Sequence, residues 1–301
     1  DDYFYPYPKK GVEFDDAPSF AAYTQSGGTL ALDDWRRDNV DTFVREMHER
    51  TKRLKPWVTV SISPFGIWRP GHPDGVTGFD AYAGLYADAS RWMREGWVDL
   101  LIPQVYWRVS AKGQPHAALA EWWAANNPRG RGLAIGLIPS RVAARADGES
   151  TVIDTRAWPA TEIINQIIRG RDTAGVHGYV LFSAKPLMEN REGLSEALRE
   201  GVGAAPALTP ERPWSADAPR PPRPRLDLAP EPSAIRVSAD PPRSTSAAHR
   251  LVVRAEYPGS WRTFIASVGE GATVPRTAPS GPLAAIHAAW CDRYGRVGPW
   301  A

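Results

Sequence analysis

The chain has 301 residues, 43% of them apolar and 23% charged, with a formal net charge of +2. That charge is too small to mark a nucleic-acid surface, and no apolar run approaches the ~18 residues of a membrane span. The single cysteine, Cys291, excludes an intrachain disulfide and a cysteine-built metal site, and the length allows two domains.

The opening stretch, Asp1-Asp2-Tyr3-Phe4-Tyr5-Pro6-Tyr7-Pro8, sets two adjacent carboxylates before aromatics and prolines. This is the composition of a strand end that opens into a sugar-binding loop, so the chain is expected to begin inside a larger fold. Residues 11–28 are polar and turn-rich. Asp33 and Asp34 mark the first turn of a helix running to about Leu54, with Val40, Phe43, Val44 and Met47 at helical spacing. The β-branched run 57–63 predicts a buried parallel strand opening into Pro64-Phe65-Gly66-Ile67-Trp68-Arg69. A helix over 79–95 follows, then a strand and exit loop over 98–107, a helix around 116–125 and a strand over 132–138. A polar loop through Asp147 and Asp154 leads to Pro159, the expected first residue of a helix over 160–172 with an isoleucine stripe. A strand over 178–183 and a helix ending near Gly201 complete this part.

Short buried strands alternating with longer amphipathic helices predict an α/β fold with a parallel sheet covered by helices. No glycine-rich phosphate turn follows any strand, which favours a (β/α)8 TIM barrel over an open doubly wound sheet. One strand tail and four complete strands make residues 1–202 the C-terminal part of such a barrel, with its N-terminal half missing from the chain. A part barrel leaves a strand edge unpaired, so this fragment is expected to be inactive alone and prone to aggregation or dimerisation. Residues 203–233, with Pro219-Arg220-Pro221-Pro222-Arg223-Pro224-Arg225, read as a semi-rigid linker. Short strands over 234–239, 250–257, 261–268 and 283–292 predict a small all-β sandwich at 234–301.

Reactive groups of a barrel sit at the C-terminal ends of its strands. Those positions here are aromatic and amide-rich, with carboxylates concentrated at one place, which suits glycoside chemistry: rings stack on sugars and a carboxylic acid protonates the leaving oxygen. Neighbouring carboxylates cannot both ionise cheaply, so Asp2 is the candidate acid and Asp1 its tuning partner. Tyr3, Tyr5, Trp68, Arg69, Gln104 and Trp107 are the candidate contacts to a poly- or oligosaccharide. Core packing for Trp68 and Trp107 and a loop salt bridge for Arg69 are the structural alternatives. No complete strand ends in a second carboxylate; Asp74, Asp154 and Glu189 lie farther out in loops. Either the missing half supplies it, or the substrate's own N-acetyl group is the nucleophile. In the second case Asp1 would hold the acetamido group and Tyr106 would steady the cyclised intermediate. His48, His72, His116 and His177 lack metal-ligand spacing, so neither a metal nor a cofactor is expected.

Four motifs, in this order, resemble the glycosyl hydrolase-like 10 family. They are the opening octapeptide, Asp34-Trp35-Arg36-Arg37 with Asn39-Val40, Ser61-Ile62-Ser63-Pro64-Phe65-Gly66-Ile67-Trp68-Arg69, and Pro103-Gln104-Val105-Tyr106-Trp107. The resemblance covers about residues 1–202 and implies a bacterial protein, secreted or associated with the cell envelope. It also implies that the first residues end the fourth barrel strand, where related barrels acting on amino-sugar polymers carry their acid. Asp292-Arg293-Tyr294-Gly295 is similar to a stretch of the fibronectin type III-like modules appended to such enzymes. The expectation is a glycoside hydrolase of a bacterial cell-wall or exopolysaccharide glycan; the alternative is a non-catalytic carbohydrate-binding barrel.

Overall fold

The computed structural model describes residues 1–143, 157–212, 219–242 and 249–301, so Asp147 and Asp154 of the expected polar loop lie outside it. The chain divides into two units, Asp1–Val202 and Gly203–Ala301.

Unit 1 is organised on four parallel strands, β1 (Ser61–Ile62), β2 (Leu100–Leu101), β3 (Gly132–Leu137) and β4 (Gly178–Leu181), lying side by side in chain order. Ser61 pairs with Leu100, Leu100 with Gly132, and Ala134 with Gly178. Every residue of β3 is buried, as a continuous apolar run covered on both faces must be. Single bridges from Phe65 to Gln104 and from Gln104 to Gly136 carry the pairing past the regular strands. They hold the exit loops of β1 and β2 in line.

The helices are α1 (Ala17–Gln25), α2 (Leu32–Leu54), α3 (Ala81–Gly84), α4 (Ala89–Glu95), α5 (His116–Ala125), α6 (Ala160–Asp172), α7 (Lys185–Met188) and α8 (Leu194–Glu200). In α6, Ile163 and Ile167 face the core that β3 shares with Leu119 of α5 and Leu194 of α8. Val40 and Val44 of α2 pack with Trp92 and Met93 of α4 in the adjoining cluster. Both central indoles satisfy their N–H groups, Trp92 on Asp41 Oδ1 at 2.6 Å and Trp123 on the Gly66 carbonyl at 2.9 Å. Among the described residues no helix is long and apolar enough to cross a membrane.

The structure corrects the predicted elements at several points. Residues 17–25, expected to be turns, form α1; no residue of it is buried, so no apolar stripe marked it. The single helix expected over 79–95 is two, parted at Tyr86, whose φ is 53°. Asp80 caps α3 through the Ala83 N–H and Asp88 caps α4 through the Arg91 N–H, while Gly96 ends α4 at φ 73°. Pro159 stands at the N-cap position of α6 instead of inside it. Residues 1–8 pair in no ladder. They are held by their rings, with Phe4 against Trp92 at 4.9 Å and Tyr7 against Phe79 at 5.2 Å.

Unit 2 is β-rich. Strands β5 (Leu226–Pro230), β6 (Ala234–Ala239) and β9 (Ala272–Pro275) form one antiparallel sheet in the order β5-β6-β9. Strands β7 (Arg250–Tyr257), β8 (Ser260–Ser267) and β12 (Ala285–Cys291) form another in the order β12-β7-β8, and β10 (Thr277–Ala278) pairs with β11 (Gly281–Pro282). Val237 and Val274 from the first sheet share a core with Leu251, Val253, Ala288 and Trp290 from the second. Part of the stretch read as a linker is built into unit 2: Leu226 pairs with Ala239, and Arg220 donates to the Val297 carbonyl at 3.0 Å. Pro230 is accommodated because β5 is an edge strand, where a missing N–H leaves no ladder bond unmade.

Candidate active site

Beyond the C-terminal ends of the parallel strands lies a cleft of about 480 Å³. Its wall is drawn from the opening segment (Asp1, Asp2, Tyr3, Tyr7), the β1 exit (Ser63, Phe65), the β2 exit (Gln104, Tyr106, Trp107) and the end of β4 (Val180, Leu181, Phe182). These elements converge because a parallel sheet delivers all its strand ends to one side. The rings are ordered by each other. Trp107 meets Phe65 edge-on at 5.6 Å, Phe65 meets Phe79 at 5.6 Å, and Tyr106 stacks on Phe182 at 6.5 Å.

Asp2 is buried, 4% exposed. Its Oδ2 accepts the Tyr7 hydroxyl at 2.5 Å. Asp1 is exposed; its Oδ1 accepts the Asp2 N–H at 3.0 Å and the Gln104 side-chain N–H at 3.0 Å. Gln104 also donates to the Ser63 carbonyl at 2.9 Å, so one amide ties the first residue to two strand exits. Burial, with the Asp2 charge adding to it, pushes the Tyr106 phenol up to about 12. Tyr7 rises further, through burial first and then its hydrogen bond to Asp2. Both phenols therefore stay protonated over the whole working range of pH and remain donors.

The structure gathers Asp1, Asp2, Tyr3, Gln104, Tyr106 and Trp107 at this cleft and leaves Tyr5, Trp68 and Arg69 away from its wall. Tyr5 packs between Phe14 and Tyr86, 4.9 Å from each. Trp68 stacks on Trp122 at 5.6 Å and gives its N–H to Asp88. Arg69 pairs with Asp80 at 3.3 Å and lies over the Tyr82 ring. The contribution of Tyr7 was missed, because nothing in an alternation of tyrosine and proline tells which phenol turns toward a carboxylate. Among the described residues, Asp1 and Asp2 are the carboxylates on this wall, and no group of three or more His, Cys, Asp or Glu side chains is placed to hold a metal.

Gly66 sets the spacing of the two exit loops. A Cβ there would lie 2.2 Å from the Gln104 carbonyl oxygen and 2.9 Å from the Trp107 ring. Gly66→Ala is expected to lower unfolding stability by about 1–3 kcal/mol, as overpacking against backbone does. It should also shift Gln104 and Trp107, which changes the tryptophan emission of the folded protein. Urea titration followed by tryptophan fluorescence checks both.

The sequence profile of the family described as glycosyl hydrolase-like 10 matches residues 1–154. Glycosyl hydrolase YngK of Bacillus subtilis (strain 168) is 35% identical over 232 residues, covering 75% of this chain and 44% of its own length. Glycosyl hydrolase DigH of Escherichia coli (strain K12) and DigH of Shigella flexneri are each 36% identical over 133 residues, which is 39% of this chain and 30% of theirs. The chain thus spans less than half the length of the curated relatives it matches.

Proposed function

Because the chain belongs to the glycosyl hydrolase-like 10 family, we propose that it is part of a glycoside hydrolase acting on a bacterial cell-wall or exopolysaccharide glycan. The four strands in chain order, each followed by a helix, support reading unit 1 as a portion of a (β/α)8 barrel. The observation that carries the reaction is the buried Asp2 at the edge of a ring-walled cleft on the strand-exit side.

Asp2 is the general acid. Its Oδ2 accepts the Tyr7 hydroxyl, which fixes the plane of the carboxyl group that passes a proton to the glycosidic oxygen. As the C1–O bond breaks, the carbonyl oxygen of a 2-acetamido group on the same sugar closes on C1, and water later opens that ring. Asp1, anchored by Gln104, orients the acetamido N–H, and Tyr106 donates to the developing intermediate. Trp107 and Tyr3 offer ring faces to neighbouring sugars. In keeping with such a substrate, the protein would work outside the cell or in its envelope.

A non-catalytic carbohydrate-binding protein is the second reading, favoured by the lack of a third carboxylate on the cleft wall among the described residues. Reducing-end release separates the two. The full-length protein should liberate new reducing ends from N-acetylated glycan strands and lose that activity when the same strands are de-N-acetylated. Binding to the strands without any release would leave the binding reading standing and remove the hydrolytic one.

A further inference from the structure

Unit 2 presents a row of side chains that its core does not use. Alternation along β7 sends Leu251, Val253 and Ala255 into the core and Arg254 to the opposite face. Register then sets Thr263 of β8 on one side of Arg254 and His287 of β12 on the other. Trp261, two positions from Thr263, shares that face and is 55% exposed. The segment after β12 runs back beside it, the Ala301 N–H donating to the Ala288 carbonyl at 2.7 Å. This brings in Trp300, whose ring lies 4.9 Å from the Arg254 guanidinium carbon. The Trp261 and His287 rings are 5.7 Å apart and inclined by 40°. Together the five side chains line a hollow of about 440 Å³. A second hollow, of about 740 Å³, shares Trp261 and Thr263 and reaches Ala204, Ala205 and Pro206. The two hollows meet at Trp261 and Thr263 of β8, which is an edge strand.

We propose that these hollows form a glycan-binding platform built from unit 2 alone, taking a short run of sugars within a polysaccharide chain. Indole faces suit the C–H faces of pyranose rings, while Arg254, Thr263 and His287 supply hydrogen-bonding partners for hydroxyls. Among the described residues two indoles alternate in the first hollow with a guanidinium, an imidazole and a hydroxyl, the mix of flat apolar faces and hydrogen-bonding groups that a sugar ring presents in complement. Two adjoining hollows sharing Trp261 suit a run of sugars better than a single small molecule. Such a platform would keep the protein on an insoluble glycan whether or not the cleft of unit 1 is occupied.

The full-length protein is tested for retention on bacterial sacculi, on chitin and on cellulose, and by tryptophan fluorescence with N-acetylglucosamine and glucose hexamers. Wild type should be retained on at least one polymer. Trp261→Ala should weaken retention about tenfold or more, as loss of a central aromatic anchor does. Trp261→Phe should restore most of it, and Arg254→Gln, at an exposed position, should weaken it without altering thermal unfolding. Equal retention of wild type, Trp261→Ala and Arg254→Gln would overturn the proposal. So would absence of wild-type retention on all three polymers, or a change of oligomeric mass in Trp261→Ala, which would mark the face as a contact between copies. Reducing-end release from soluble oligosaccharides should be the same in Trp261→Ala as in wild type, so this inference can fail while the hydrolytic reading stands, and the reverse.

Discussion

Asp2→Asn in the full-length protein is expected to lower turnover by about 10²–10⁴-fold, the usual contribution of a positioned general acid. The amide keeps the shape of the carboxyl and can still accept from Tyr7, so the 2.5 Å contact and the packing around it persist. What it cannot do is give up a proton to a leaving oxygen. Glycan affinity should therefore stay close to wild type while reducing-end release disappears. Affinity falling in step with turnover would instead make residue 2 a binding group.

The second large effect concerns stability in acid. His116, the first residue of α5, is completely buried, and among the described residues neither ring nitrogen has a hydrogen-bond partner. Burial lowers its pKa from 6.5 to about 4, with the Glu162 charge opposing the shift. The unfolded chain binds a proton near pH 6.5 that the folded chain refuses until about pH 4. Stability is thus fully present above pH 6.5, falls as pH drops through that window, and levels off below it. The whole window is worth about 3 kcal/mol at 1.36 kcal/mol per pKa unit. His116→Leu, close in volume and without a titrating ring, should flatten that part of the pH dependence. Urea unfolding at pH 7, 5.5 and 4.5 measures it, and an equal slope in wild type and variant would show that another group is responsible.

Both sites illustrate which features a sequence displays. The strand 132–137 was legible as an unbroken apolar run buried along its whole length, and the helix 160–172 because Ile163 and Ile167 recur at helical spacing on its buried face. α1 was not, since it buries nothing and so leaves no period. The break at Tyr86 was hidden for a different reason: a tyrosine at positive φ carries none of the marks of a turn-forming glycine or asparagine. At the candidate site the strand-exit rule picked out Asp2, Gln104, Tyr106 and Trp107, and the structure places all four on one cleft wall. The rule could not separate Trp107 from Trp68, because both follow strands and are aromatic. Their directions are decided by partners distant in the chain, Phe65 and Phe79 for one wall and Trp122 on α5 for the other. Likewise Arg69 is drawn off by Asp80. The proline-rich stretch was read from composition alone, whereas the ladder from Leu226 to Pro230 depends on a partner strand supplied by later residues.

The most direct measurement is a structure of the Asp2→Asn protein holding an uncleaved N-acetylated oligosaccharide. The predicted result is a glycosidic oxygen within about 3 Å of the substituted side chain, with sugar rings against Trp107 and Tyr3. A sugar chain bound with every glycosidic oxygen out of hydrogen-bond reach of position 2 would contradict the acid role on which the proposed reaction rests.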